Sequence, residues 1–291
     1  MANKIIPESE LIINSDGSVF HLHLLPEQLT DRIILVGDPA RVDLVASFFD
    51  TRTFEVSSRE FHTIGGTYGG KPIMCLSHGI GPDNIDIVIN ELDALANIDF
   101  ATREVRSDLR RLTMVRIGTS GALQPELSLG TPVIAEKSIG FDGVLNYYAG
   151  RNEVADLGFE EALCSHTHWN PLWAKPYVVD ADADLVAQIG GDDMVRGNTI
   201  SAVGFYGPQG RELRLPLANP DLNRLIEEFE YNGRRVTNYE MESAPLAGLG
   251  RLMGHRCMTV CSIIANRFKT EANPNYKQGI RDLIGTVLDR I

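Results

Sequence analysis

Leu112-Thr-Met-Val-Arg-Ile-Gly-Thr-Ser-Gly121 is the stretch on which the fold and the chemistry both turn. It reads as an apolar strand, Leu112 to Ile117, ending at Gly118 and followed by a turn of glycines and hydroxyls. Arg116 sits inside that apolar run, where an unpaired charge is costly. It therefore needs a carboxylate or a bound anion beside it. The Gly118-Thr119-Ser120-Gly121 turn adds hydroxyls and bare backbone amides, as an oxyanion site would.

Similar short apolar runs recur on both sides of it. Arg32–Val36 ends at Gly37, and Pro72–Ser77 ends at His78-Gly79. Pro132–Ala135, Thr199–Val203, Arg235–Tyr239 and Met258–Ile264 follow. Between them lie segments of helical period: Ile85, Val88, Ile89, Leu92, Leu95 and Ala96 after Pro82, and Ile280, Leu283, Ile284, Val287 and Leu288 near the C-terminus. Strands alternating with helices predict a layered α/β fold. No linker, repeat or low-complexity tract interrupts it, so residues 19–291 read as one domain and residues 1–18 as an N-terminal arm. The charged block 101–111 reads as a solvated, salt-bridged connection.

Composition excludes several classes. The chain of 291 residues carries 27 Lys plus Arg against 39 Asp plus Glu, a net charge of −12, which disfavours nucleic acid and anionic membrane surfaces as partners. No apolar run has the length of a spanning helix or signal peptide. Cys75, Cys164, Cys257 and Cys261 form no CxxC pair and read as reduced thiols of a cytoplasmic protein. An anionic substrate would have to be held by a local cluster of positive charge.

Three more motifs fall at strand ends, where ligands of α/β sheets sit. Gly37-Asp38-Pro39-Ala40-Arg41 offers a close-approach glycine, a helix start and a guanidinium, an anion site or simply a capped helix. Asn238-Tyr239-Glu240-Met241-Glu242-Ser243 places two carboxylates and a soft apolar side chain at a strand-to-helix junction, suited to a vicinal diol and a sugar face. Phe205-Tyr206-Gly207-Pro208-Gln209-Gly210-Arg211 supplies a carboxamide, which donates and accepts at once, beside a guanidinium and aromatics. That set suits a planar heterocycle with carbonyl and imide groups. Trp169 and Trp173, four residues apart, read as packing.

Together, and in this order, the motifs resemble the uridine phosphorylases of the nucleoside phosphorylase superfamily, from about Val19 to the C-terminus. The resemblance implies a three-layer α/β/α sandwich with a central mixed, partly barrel-like sheet. It implies phosphorolysis of uridine to uracil and ribose 1-phosphate, with inorganic phosphate as co-substrate and no cofactor. Gly37, Arg41, Arg116 and Thr119 would bind phosphate, joined by Arg59 from a neighbouring subunit of a homo-oligomer, dimer or hexamer. Glu240, Met241 and Glu242 would hold the ribose, with His21 from the neighbour. Phe205, Gln209, Arg211, Ile263, Ile264 and Arg267 would form the base pocket. Glu60 matches a glutamate that holds a structural potassium ion in some members, but Asn84 stands where the accompanying serine would align. Asn266 occupies the position at which purine-cleaving relatives carry an acid, which favours uridine. A purine nucleoside phosphorylase, a hydrolytic nucleosidase of the same fold and a catalytically silent nucleoside-binding protein are the alternatives.

Overall fold

The run at 32–36 shows how the layers arise. In the computed structural model, which describes residues 5–269, 271–273 and 276–291, Arg32–Val36 forms β1. Its side chains alternate, as a strand's must. Ile33 and Leu35 enter one apolar cluster, and Ile34 and Val36 enter another. Both faces need a helical layer, and the chain supplies it. After β1 come α1 (Pro39–Ala46), β2 (Thr51–Ser58), β3 (Phe61–Tyr68), β4 (Lys71–Ser77) and α2 (Pro82–Asn97). A short pair, β5 (Ile98–Asp99) and β6 (Glu104–Val105), precedes β7 (Thr113–Ala122) and β8 (Pro132–Gly140). Then follow α3 (Arg151–Val154), α4 (Leu157–Thr167), β9 (Tyr177–Asp180), α5 (Ala183–Ile189), β10 (Val195–Ser201) and α6 (Leu222–Glu228). β11 (Glu230–Tyr231), β12 (Arg234–Glu240), α7 (Ser243–Met253), β13 (Arg256–Asn266), β14 (Glu271–Ala272) and α8 (Lys277–Arg290) complete the chain.

Ile85, Val88, Ile89 and Leu92 of α2 and Ala244, Leu246 and Leu249 of α7 cover the Ile33/Leu35 face. Val42 and Val45 of α1, Leu185 and Ile189 of α5, and the apolar stripe of α8 cover the other. The result is the expected three-layer sandwich. Its sheet runs β11-β12-β10-β8-β13-β7-β1-β4-β3-β2, with parallel pairs β1–β4, β1–β7, β7–β13, β8–β10 and β10–β12. β12 also pairs antiparallel with β7, through Asn238↔Ala122 and Tyr239↔Gly121. That contact closes β7, β13, β8, β10 and β12 into a ring, so part of the sheet is a barrel. Among the described residues, no helix is long and apolar enough to cross a membrane.

One sequence expectation needs correction, one is met and extended, and one hairpin went unread. Gly118 to Gly121 is strand, because pairing with β13 and then β12 carries β7 on to Ala122. The charged block 101–111 is the salt-bridged connection expected, and it also holds the arm. Arg103 donates to the carbonyls of Ile6, Pro7 and Leu11 and thereby fastens the N-terminal arm, while Arg106 faces Asp99 and Arg110 pairs with Asp31. The unread hairpin is β2–β3: β2 is largely exposed and polar, and Gly65 and Gly66 dilute the strand signal of β3.

Candidate active site

Beyond the carboxyl ends of β1, β7, β12 and β13 lies a cleft of about 1190 Å³, lined by Gly37, Arg41, Arg116, Thr119, Gln209, Arg211 and Glu242 among others. Arg116 organises it. Its guanidinium is buried, with Nη1 2.8 Å from Glu240 Oε2 and Nη2 bonded to Glu242 Oε2. Nε donates to His78 Nε2 at 3.1 Å. The charge that β7 could not bury alone is thus held by two carboxylates from the β12–α7 junction. Burial alone would lower the Arg116 pKa, but Glu242 and Glu240 hold it above the ordinary arginine range. Burial, reinforced by Glu240, pushes the Glu242 carboxyl above the usual range against the pull of Arg116. Gly118 is required by close approach: a Cβ there would lie 2.8 Å from Arg116 Nη1 and 2.9 Å from Cys261 Sγ.

The two glutamates differ. Glu240 accepts from Ser201 Oγ, from both the backbone N–H and hydroxyl of Ser243, and from the Glu242 N–H, besides Arg116. These donors take up its oxygens, so in this structure Glu240 fixes Arg116 and the start of α7 while also lining the cleft. Glu242 accepts only from Arg116 and from the Gly81 N–H at 2.8 Å, the latter presented by a left-handed turn of φ 102°. Met241 lies between them in sequence and also lines the cleft.

At the far end, Arg211 Nη1 donates to Gln209 Oε1 at 2.6 Å, and Arg267 donates to both the backbone carbonyl and Oε1 of Gln209. With its oxygen gripped by two guanidiniums, the Gln209 amide group is left to offer its N–H₂. The Arg211 guanidinium also stacks 3.8 Å above the Phe205 ring. Burial, and then the neighbouring Arg267, pushes Arg211 down to about 10; burial likewise lowers Arg267. Neither has a carboxylate within salt-bridge distance among the described residues.

At the near end, Asp38 caps α1 by accepting from the Ala40 N–H, so the capped-helix reading of that motif holds. Arg41 still lines the cleft, donating only to the Ile117 carbonyl at 3.3 Å. Gly37 and Thr119 line the same end, with the fully buried, unpartnered Ser120 hydroxyl beside them.

Other expected residues are elsewhere. Ile264 lines the cleft, but Ile263 packs with Ala122, Leu127 and Val133, because neighbours on a strand face opposite ways. Asn266 is buried and donates to the carbonyls of Gln124 and Leu127, away from the cleft. His21 is bonded through Nδ1 and its backbone N–H to Glu91 of α2. Arg59, at the tip of the β2–β3 hairpin with φ 55°, sits over the Phe20 ring. Neither lines the cleft of its own chain. Glu60 does, and with Asn84 it flanks Gly79, but among the described residues no three His, Cys, Asp or Glu side chains converge as metal ligands. The reading of the sequence missed His78, Gly81 and the grip of Arg267 on Gln209. Only the first two carried a local signal, their place in the Ser77-His-Gly-Ile-Gly81 run after a strand.

This fold and cleft are those of one enzyme class. The signature of the phosphorylase superfamily matches residues 31–283, and the chain belongs to that family. It is 30% identical to the uridine phosphorylase of Haemophilus influenzae over 261 residues, 88% of this chain and 89% of that protein. It is 30% identical to the Escherichia coli uridine phosphorylase over 264 residues, with the same shares. The crystal structure of a Trypanosoma brucei nucleoside phosphorylase with uridine phosphorylase activity superposes with a TM-score of 0.87 at 25% identity, covering 96% of this chain and 98% of that one.

Proposed function

We infer that this chain is a pentosyltransferase that cleaves uridine with inorganic phosphate, giving uracil and ribose 1-phosphate. The observation that carries the reading is how charge is divided along the cleft. Arginines stand at both ends, and among the described residues that line the cleft none of the carboxylates belongs to the Phe205–Arg211 segment, where one would protonate a purine or a hydrolytic leaving group. The four lining carboxylates are accounted for: Asp38 caps a helix, Glu60 sits on the rim, and Glu240 and Glu242 hold Arg116.

Chemistry follows from that division. Displacing a base from C1′ passes through an oxocarbenium-like state, with positive charge on the sugar and negative charge on the base. Phosphate is the nucleophile, so the protein needs no covalent one. Arg41, Arg116, Thr119 and the Gly37 backbone position phosphate, and proximity supplies much of the acceleration. Glu242, whose partners are fewest, accepts from the ribose hydroxyls and strengthens its hold as the sugar becomes cationic. Met241 packs on the sugar, and Ile264 and Phe205 flank the base. The Gln209 N–H₂ and Arg211 donate to uracil carbonyls and stabilise the departing anion. Arg267 keeps Gln209 turned this way.

His21 and Arg59 lie on one surface patch linked by Phe20, which supports their serving the cleft of a second copy in a homo-oligomer. Glu60 and Asn84 supply too few oxygens for a potassium ion within one chain, so a cation there would also need that copy. The test follows base release from uridine, thymidine, inosine and adenosine with and without phosphate. Phosphate-dependent release of uracil, with the purine nucleosides inert, is expected. Release without phosphate, or uridine binding with no turnover in excess phosphate, overturns the reading.

A further inference from the structure

We propose that His78 is a positioning residue for phosphorolysis: it holds the Nε–H edge of Arg116 from the β4 side, fixing the plane of the guanidinium that receives phosphate. The proposal rests on the phosphorolytic reading of the cleft.

His78 directly follows β4 and is fully buried. Arginine only donates, so the 3.1 Å contact from Arg116 Nε makes His78 Nε2 the acceptor and puts the imidazole proton on Nδ1. Burial, and then the charge of Arg116, keeps the ring neutral, with its pKa well below the ordinary histidine range. The Gly79 backbone, hydrogen-bonded to the ring, opposes that shift without reversing it. A buried polar ring is a costlier filler than an apolar side chain unless its nitrogens are used, and here Nε2 is used by Arg116. What histidine adds at this position is the acceptor.

The remaining contacts of Arg116 show why an acceptor matters. Nη1 faces Glu240 and the Cys261 sulfur at 3.6 Å, and Nη2 faces Glu242. Both carboxylates stand at the β12–α7 junction, on one side of β7. His78 approaches from the other side, across β1. When ribose draws on Glu242 and phosphate draws on Nη2, the Glu242 tie weakens. The His78 tie touches neither ligand and persists through the cycle. Together with Glu240 it keeps the guanidinium from following its ligands.

His78→Met and His78→Gln separate this role from packing. Both side chains are unbranched and similar in length, but only Gln offers an oxygen acceptor. Calorimetric phosphate affinity and steady-state kinetics of the intact protein are the readouts. For His78→Met, phosphate affinity and kcat/KM for phosphate should fall about tenfold or more, the scale of one lost charge-assisted bond. KM for uridine should stay within about threefold, and His78→Gln should recover most of the loss. His78→Leu serves as the apolar variant should His78→Met not fold. Unchanged phosphate affinity in the apolar variant, or equal losses in the Gln and apolar variants, overturns the proposal. Wild-type protein that binds phosphate but does not cleave uridine would instead sink the nucleoside assignment, with His78 still judged on phosphate affinity.

Discussion

Two arginine-lined cavities lie at opposite ends of the same sheet. The cleft described above sits at the carboxyl ends of its strands. A smaller cavity of about 550 Å³ opens near the amino ends of β7, β10, β12 and β13, ringed by Arg111, Arg196, Arg234 and Arg251. Counting cations alone would favour this smaller cavity as the anion site. Its arginines are 38% to 57% exposed, however, and each faces an acid: Arg111 with Asp182, Arg196 and Arg234 with Glu136, and Arg251 with Asp180. Surface pairs of this kind contribute about 0–1 kcal/mol each. In the cleft, Arg116 is buried, and Arg41 and Arg211, with Arg267 behind the lining, meet carbonyl and amide oxygens rather than carboxylates. Arg116 apart, whose buried fork is tied to Glu240 and Glu242, the arginines at the cleft have no carboxylate partner, and that marks a site for anions better than the number of arginines does.

The largest expected effect sets one cavity against the other. Arg116→Lys keeps the charge but loses the fork that meets Glu240, Glu242 and His78 at once. Its kcat/KM for uridine should fall about a thousandfold. Arg234→Lys, on the opposite rim, should stay within about twofold. Comparable losses in the two variants would erase the contrast. Lysine is the informative choice, because alanine at 116 would leave two buried carboxylates without a cation and cost about 3–5 kcal/mol of stability.

A carboxylate without an arginine sharpens the comparison from the other side. Asp142, just beyond β8, accepts from the Tyr177 hydroxyl and the Val144 N–H, and burial raises its pKa to about 6. The fold thus prefers the protonated carboxyl. Asp142 contributes most stability below the unfolded value near 4 and loses it as pH rises through about 6. Asp142→Asn should match wild type near pH 4 and exceed it at pH 7 by an amount of order 2–3 kcal/mol. Denaturant titrations at several pH values check this, and parallel curves for the two proteins would refute it. The smallest effect is expected of Arg103→Ala, which cuts the bonds from the charged block to the arm. Hydrogen exchange at residues 6–13 should rise while global stability drops by about 1 kcal/mol and activity holds.

Much of this was legible in the sequence, for identifiable reasons. Arg116 inside an apolar strand demanded a partner, and Glu240 and Glu242 were already suspect as paired carboxylates in an apolar setting. Strand alternation placed the layers. What escaped depended on distance or register. Arg267 meets Gln209 across 58 residues of chain, and nothing local announces it. Ile263 and Ile264 could not both face the base, but a register shift between Ile263 and Ala265 hides which one does. Asn266 had the marks of a specificity position, yet its amide is spent on the 124–127 loop. The salt bridges of the block 101–111 were legible, but the grip of Arg103 on the arm was not, because its partners are backbone carbonyls some 92 to 97 residues away.

The seam between β7 and β12 has a consequence for how such a chain can diverge. A short ladder, Asn238↔Ala122 and Tyr239↔Gly121, closes the hoop, with the Leu123 N–H donating to the Thr237 carbonyl just beyond it. One side of that seam carries Arg116 and Thr119, and the other carries Tyr239 and Glu240. A single-residue insertion in β12 ahead of the seam would turn every following side chain to the opposite face and exchange the positions of Tyr239 and Glu240, and one early in β7 would do the same to Arg116 and Thr119. Length changes are thus confined to connections that hang outside the hoop. The segment between β10 and α6, which holds Phe205, Gln209 and Arg211, is such a connection. That end of the cleft can change by insertion and deletion while Arg116, Thr119 and Glu240 stay locked in register.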